Sequence, residues 1–184
     1  DRDLTSAFAK DVLRVWARRD GFLGGIRQFH VALAGEERKL DALCDLQEQL
    51  DVASAIVFCN TRRQVDLLAG QLTSRDFDVL TLHEELDLME QNHRLLEFRD
   101  TPSCILVTTD CLARGVDVNA TVFNFDLPGD PRTYFHRVGR SGRHSGRGVA
   151  ISLVTEGEIE VMRGIEAHYG TEIREMPADM EMTV

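Results

Sequence analysis

The stretch that decides the fold covers residues 104–117, CILVTTDCLARGVD. Its first five residues, 104–108, are mainly apolar, which predicts a strand buried on both faces of a parallel sheet. Its second part brings hydroxyls, two carboxylates, an arginine and a glycine together directly after that strand. Ligands of open α/β sheets bind outside the carboxyl ends of the strands. The stretch therefore predicts an α/β fold with a functional site after this strand.

The rest of the chain alternates short β-rich runs with helical patterns, in which apolar residues recur at spacings of three and four. The predicted strands are residues 26–33, 55–59, 77–83, 104–108, 122–125 and 149–154. The predicted helices are residues 36–49, 62–75, 88–99, 132–139 and 156–169. This order predicts a doubly wound, mostly parallel sheet with helices on both faces and right-handed crossovers.

The composition indicates one soluble domain. The chain has 184 residues, of which 43% are hydrophobic and 28% charged, enough for one sizeable core. It has neither an apolar run of about 18 residues nor the order of a signal peptide, so we expect an intracellular protein. The four cysteines lie in apolar runs without C-x-x-C spacing, which favours reduced core thiols. We expect a lead-in helix or linker at 1–24, the domain at 25–176 and a tail at 177–184.

The charge is unevenly distributed. The chain carries a net charge of −10, which argues against a generally positive nucleic-acid surface. Residues 132–147 nevertheless hold five arginines and no acid. On charge alone, this segment is either a phosphate site or a solvated basic face.

A second polar segment follows the strand at 55–59, where Asn60, Thr61, Arg62 and Arg63 occur in sequence. Asn60 or Thr61 can cap the next helix, and the free amides of its first turn together with two arginines suit a phosphate. An ordinary helix cap with exposed arginines fits the same residues.

The third segment, residues 136–143, has the sequence HRVGRSGR. Arg140 and Arg143 are three residues apart and share one face of a helical turn. Gly139 and Gly142 let the backbone approach a neighbour closely. Two guanidiniums on one face form a planar, multidentate receptor for phosphate oxygens, which we expect to project outward at the rim of the sheet.

These segments resemble three motifs of DEAD-box RNA helicases, in the family's order. Residues 56–61 resemble motif IV, 108–117 motif V and 136–143 motif VI, and the similarity is nearly continuous from Gly25 onward. The sequence is most similar to the translation-initiation branch of the family. The resemblance implies a RecA-like fold and the second of two domains that clamp ATP and RNA between them.

The resemblance also implies a role for individual residues. Arg140 and Arg143 correspond to arginine fingers that reach the γ-phosphate when the two domains close, whereas Asp117 approaches the ribose. The implied nucleotide-binding and interdomain positions are Arg114, Gly115, Asp117 and His136. The implied RNA-backbone positions are Asn60, Thr61, Arg63 and Thr109.

Cofactors and partners follow from the same resemblance. This sequence contains neither a G-x-x-x-x-G-K-[ST] loop nor Asp-Glu-Ala-Asp, so ATP and Mg²⁺ are expected mainly on the N-terminal domain. No metal site is expected in this chain, and alone it is not expected to hydrolyse ATP. The implied partners are RNA, recognised through its backbone, the N-terminal domain and protein regulators, with no membrane.

One departure from the family falls on the RNA side. The family has His-Gly-Asp followed by Q-x-x-R, whereas here His83 is followed by Glu84 and Glu85. Leu88 and Gln91 occupy the places of the motif's Gln and Arg. An added carboxylate and a lost guanidinium both disfavour a nearby phosphate. This departure leaves open an alternative function, a degenerate helicase domain that docks proteins and contacts RNA weakly.

Overall fold

A computed structural model describes residues 25–50, 52–111, 120–141 and 148–177 of the chain. Its strands form one seven-stranded sheet in the order β3-β4-β2-β5-β6-β1-β7, and all the described strand pairs are parallel. The strands are β1 (Ile26–Leu33), β2 (Ala55–Phe58), β3 (Val79–Leu82), β4 (Ile105–Thr108), β5 (Thr121–Asn124), β6 (Gly148–Thr155) and β7 (Arg174–Glu175). The α-helices are α1 (Lys39–Gln49), α2 (Arg62–Thr73), α3 (Leu88–Asp100), α4 (Pro131–Val138) and α5 (Ile159–Tyr169).

The apolar central strands form because both of their faces are covered. In β2, Ile56 and Phe58 belong to the core on one face, whereas Ala55 and Val57 belong to the core on the other. Residues of α1 and α2 fill the second core, and residues of α3, α4 and α5 fill the first. The predicted arrangement, with helices on both faces of a parallel sheet, is therefore confirmed.

The distribution of the helices follows from the handedness of the crossovers. The connections from β1 to β2 and from β2 to β3 run one way along the sheet and carry α1 and α2. The connections that carry α3, α4 and α5 run the other way, so a right-handed crossover places them on the opposite face. The neighbouring strands β2 and β5 therefore lead to helices on opposite faces, and ligands of open α/β sheets bind at the carboxyl ends of such a strand pair.

The observed elements agree closely with those predicted, with three differences. Predicted strand 77–83 is shorter, Val79–Leu82, and the two-residue β7 was not predicted. Predicted helices 36–49 and 156–169 begin with a 3₁₀ turn, at Glu36–Arg38 and Glu156–Glu158. The predicted lead-in helix within 1–24 and nearly all of the predicted tail lie outside the described residues.

The cysteines are core thiols, as predicted. All four are free, with Cys44, Cys59 and Cys104 buried and Cys111 half-buried. Burial raises the pKa of Cys59 and raises that of Cys104 to about 11. These two thiols are therefore protonated and unreactive at neutral pH.

Candidate functional site

Asn60 joins the loops that follow β2 and β5. Its backbone N–H donates to Oδ2 of Asp126 at 2.8 Å, and its side-chain Nδ2 donates to the carbonyl of Leu127 at 3.0 Å. Its Oδ1 accepts a hydrogen bond of 2.8 Å from Nη2 of Arg137. Asn60, which was predicted to contact RNA, thus uses its backbone N–H and both ends of its side-chain amide for bonds within the domain. In this structure Asn60 is a positioning residue.

Arg137 of α4 is the centre of this network. Its side chain is 1% exposed and forms a two-pronged ion pair with Asp110, Nε–Oδ1 2.6 Å and Nη2–Oδ2 2.9 Å. Nη1 donates to the carbonyl of Asp126 at 2.8 Å, and the guanidinium carbon lies 5.2 Å from the centroid of the Phe58 ring. The planar guanidinium of arginine can donate to several acceptors at once in a fixed geometry, whereas the ammonium of lysine does not match this geometry. Arg137 therefore holds the segments after β2, β4 and β5 in one arrangement.

Sequence reasoning counted Arg137 among the five arginines of residues 132–147 but did not separate it from the others. Its carboxylate partner, Asp110, lies 27 positions away, and its amide partner, Asn60, lies 77 positions away. No local pattern marks such partners, although both lie directly after predicted strands.

Arg140 lies just beyond α4 and is buried, 5% exposed. The backbone continues to turn there, with the Arg140 N–H bonding to the carbonyl of Arg137 at 3.0 Å. The side chain folds back, and its Nε donates to the carbonyl of His136 at 3.3 Å. The outward projection expected of Arg140 therefore does not hold in this structure. His136 itself is half-buried, and its ring packs edge-on against Phe135.

Lys39 and Glu158 also stabilise the loop that follows β5. The Lys39 ammonium is buried between Glu36 at 3.1 Å and Glu158 at 3.0 Å, and Glu158 accepts a bond of 3.3 Å from the Leu127 N–H. Burial acts to raise the pKa of Glu158, but hydrogen bonds from Thr155 and Lys39 outweigh it and lower this pKa. Glu158 is thus held as a carboxylate.

The edge predicted to contact RNA contains Thr61, Arg63 and Thr109. Thr61 caps α2, with its Oγ1 accepting from the N–H of Gln64 at 3.2 Å, and Arg63 is exposed on the first turn. The Thr109 hydroxyl donates to Oε2 of Glu84 at 2.7 Å. Two of the three residues thus have a group bonded within the domain.

The acidic turn after β3, defined here as Glu84 and Glu85, bonds to both neighbouring loops. Glu84 receives the Thr109 hydroxyl, and Glu85 pairs with the guanidinium of Arg62. The hydrogen bond from Thr109 lowers the pKa of Glu84, so its carboxylate stays ionised at neutral pH.

Four predicted site residues, Arg114, Gly115, Asp117 and Arg143, lie outside the described residues. Within the described ranges, no group of three or more His, Cys, Asp or Glu side chains is placed to hold a metal ion. No helix in that part of the chain is long and apolar enough to cross a membrane.

Comparison with known proteins explains this geometry. The profile of the helicase conserved C-terminal domain matches residues 38–145. The solved C-terminal domain of the DEAD-box protein Dbp5 is 34% identical, with a TM-score of 0.75 over 85% of this chain and 92% of that chain. This chain belongs to the DEAD-box helicase C-terminal domain family. Asn60, Asp110 and Arg137, which meet in the network, belong to the three segments that resemble motifs IV, V and VI.

Two other relatives extend the comparison. The ATP-dependent RNA helicase eIF4A of Schizosaccharomyces pombe is 46% identical over 181 residues, 97% of this chain and 46% of the relative. S. cerevisiae Dbp5 bound to RNA and ADP BeF3 is 34% identical, with a TM-score of 0.77 over 84% of this chain and 42% of that chain. This DEAD-box domain therefore spans about half the length of these relatives.

Proposed function

We propose that this domain is the C-terminal half of an ATP-dependent RNA helicase that acts in the cytoplasm or nucleus. The observation that carries the proposal is the buried Arg137, which fixes the three motif-bearing segments against one another at the carboxyl edge of the sheet. A rigid edge of this kind can present cationic and backbone groups to a nucleotide bound on an N-terminal domain.

In this proposal Arg140 and Arg143 act as arginine fingers. Phosphoryl transfer spreads negative charge over the equatorial oxygens, which a guanidinium delivered on domain closure stabilises. In this structure Arg140 is buried and its Nε donates to the His136 carbonyl at 3.3 Å, so the finger role requires its side chain to reorient when the domains close. The supporting nucleotide and interdomain positions are Arg114, Gly115, Asp117 and His136.

ATP and Mg²⁺ belong to this proposal through the N-terminal domain. The domain alone is accordingly proposed to be inactive as an ATPase.

The proposed RNA site is the edge formed by Thr61, Arg63 and Thr109, with Asn60 holding the loop after β2 in place. These residues offer a guanidinium, hydroxyls and the amides of a helix N-terminus, which suit phosphates rather than base edges. Recognition of this kind is independent of sequence, as for other proteins that follow a nucleic-acid backbone.

The finger roles are tested by RNA-stimulated ATPase of the full-length protein carrying Arg140→Ala or Arg143→Ala. Loss of a finger is worth about 10³-fold or more in turnover, while RNA binding persists. Arg132→Ala, which removes an exposed arginine from the first turn of α4, is the matched control. Wild-type turnover in either finger variant ends that assignment.

A second candidate function, protein docking, is favoured by the start of α3. Leu88 and Met89 are 77% and 82% exposed and lie beside the acidic turn, so an apolar and acidic surface faces solvent. A basic, amphipathic protein segment would suit it. Fluorescence anisotropy on single-stranded RNA with an ATP analogue discriminates, because submicromolar, nucleotide-dependent binding excludes a pure docking module.

A further inference from the structure

At the proposed RNA edge, the carboxylates of the acidic turn accept hydrogen bonds from donors that an RNA phosphate could otherwise use. Thr109 is buried, 6% exposed, and its one hydroxyl proton points at Glu84 across 2.7 Å. Arg62, on the first turn of α2, is paired with Glu85. A carboxylate and a phosphate diester both offer anionic oxygens, so each competes for the same donors.

Neighbouring donors are also engaged. Arg94 donates to the carbonyl of Thr81 at 2.9 Å, to the Thr81 hydroxyl at 2.8 Å and to Glu90 at 2.9 Å. Its side chain is 28% exposed, so most of it is withdrawn from solvent. The edge next to Thr109 therefore has two carboxylates in place and an arginine turned toward the sheet.

We propose that Glu84 is an affinity-determining residue of the RNA site, whose carboxylate holds the Thr109 hydroxyl until an RNA phosphate displaces it. The inference rests on the proposed RNA role of Thr109. Binding then requires a charge-assisted hydrogen bond to break and places a phosphate near a second negative charge. Both effects weaken RNA binding without altering the chemistry of ATP.

The test uses the full-length protein with Glu84→Ala, measured by fluorescence anisotropy on labelled decauridylate in the presence of a nonhydrolysable ATP analogue. Loss of a competing charge-assisted hydrogen bond is expected to lower Kd about 10-fold. Glu84→Gln, which keeps a neutral acceptor, should fall between Glu84→Ala and the wild type. Glu97→Ala is the matched control, because Glu97 is an exposed acid of α3, about 13 Å along the helix from its first residue.

A kinetic measurement separates this role from a structural one. In Glu84→Ala, the RNA concentration that half-saturates ATPase should fall by the same factor as Kd, with the maximal rate unchanged. A turn that only supports the fold would change the maximal rate and the thermal midpoint as well. An unchanged or raised Kd in Glu84→Ala overturns the inference.

Thr109→Val distinguishes failure of this inference from failure of the RNA site itself. If Glu84 acts through the Thr109 hydroxyl, Thr109→Val weakens RNA binding and reduces the gain from Glu84→Ala in the double variant. If Thr109→Val weakens binding but Glu84→Ala does not tighten it, the RNA site stands and the role of Glu84 is wrong. If Thr109→Val changes Kd in neither background, the RNA role of Thr109 and the inference both fail.

Discussion

Replacing Arg137 by methionine should destabilise the domain more than any other single arginine substitution among the described residues. The change removes four hydrogen bonds and leaves Asp110, Asn60 and the Asp126 carbonyl without their shared donor. Breaking a fully buried ion pair costs about 3–5 kcal/mol. Asp110 is 47% exposed and can regain water, so the lower end of that range, about 3 kcal/mol, is expected.

Equilibrium urea unfolding of the 184-residue chain, followed by circular dichroism, measures this cost. For an m-value of about 2 kcal/mol/M, a loss of about 3 kcal/mol moves the midpoint down by about 1.5 M. Arg137→Lys keeps the charge but not the planar fork and should lose roughly half as much. Arg132→Met, on the exposed part of the same helix, should stay within about 0.5 kcal/mol. A midpoint shift in Arg137→Met no larger than that of Arg132→Met would refute the reasoning.

Two further predictions concern a helix cap and an acid-sensitive ion pair. Asp130 caps α4 through a bond of 2.9 Å from the N–H of Thr133, so Asp130→Ala should cost about 1 kcal/mol in urea unfolding, with Asp130→Ser largely retaining stability. The folded state lowers the pKa of Glu158 from 4.5, so this carboxylate contributes stability above that value and loses it as the pH falls through the lowered pKa. Glu158→Gln should therefore lower stability at pH 7 and flatten its decline below pH 4.5 in thermal unfolding scans, and an unchanged acid limb would contradict the assignment.

Most of the fold could be predicted because its signal is local. A strand buried on both faces must be mostly apolar, and β2 is apolar at all four of its residues and β4 at three of four. The limits appear at the edges of the sheet, where β3 is only half-buried over most of its length. β7 carries no pattern of its own, since two exposed residues pair with Phe29 and His30 only because the chain returns beside β1.

The site was predictable in its segments but not in its contacts. The polar residues that follow the strands predicted which loops form the site. The resemblance to a helicase family assigned each of these segments to a motif. The side-chain partners of Arg137 and Thr109 are 25 or more positions away, so their pairing depends on the sheet order rather than on spacing. The carboxylates that replace the family's glycine and aspartate were noticed, yet their attachment to Thr109 and Arg62 appears only in the structure.

The Arg137 network and the acidic turn, both at the carboxyl edge of the sheet, differ in how their charges are paired. This difference bears on how RNA binding in the proposed helicase could be controlled. Around Arg137 the guanidinium is buried and its four hydrogen bonds hold the loops after β2, β4 and β5 together. At the acidic turn, the Glu85–Arg62 pair is exposed, with 60% of Glu85 and 43% of Arg62 open to solvent, whereas Thr109, the partner of Glu84, is buried. An exposed ion pair of this kind contributes little stability and exchanges readily with other ions. For a chain of net charge −10 in which the Thr109 hydroxyl, a proposed RNA donor, is already paired, we expect little affinity for RNA by charge alone. In the proposed helicase, RNA binding by the full-length protein should accordingly depend on ATP-driven closure, which would supply contacts from the N-terminal domain.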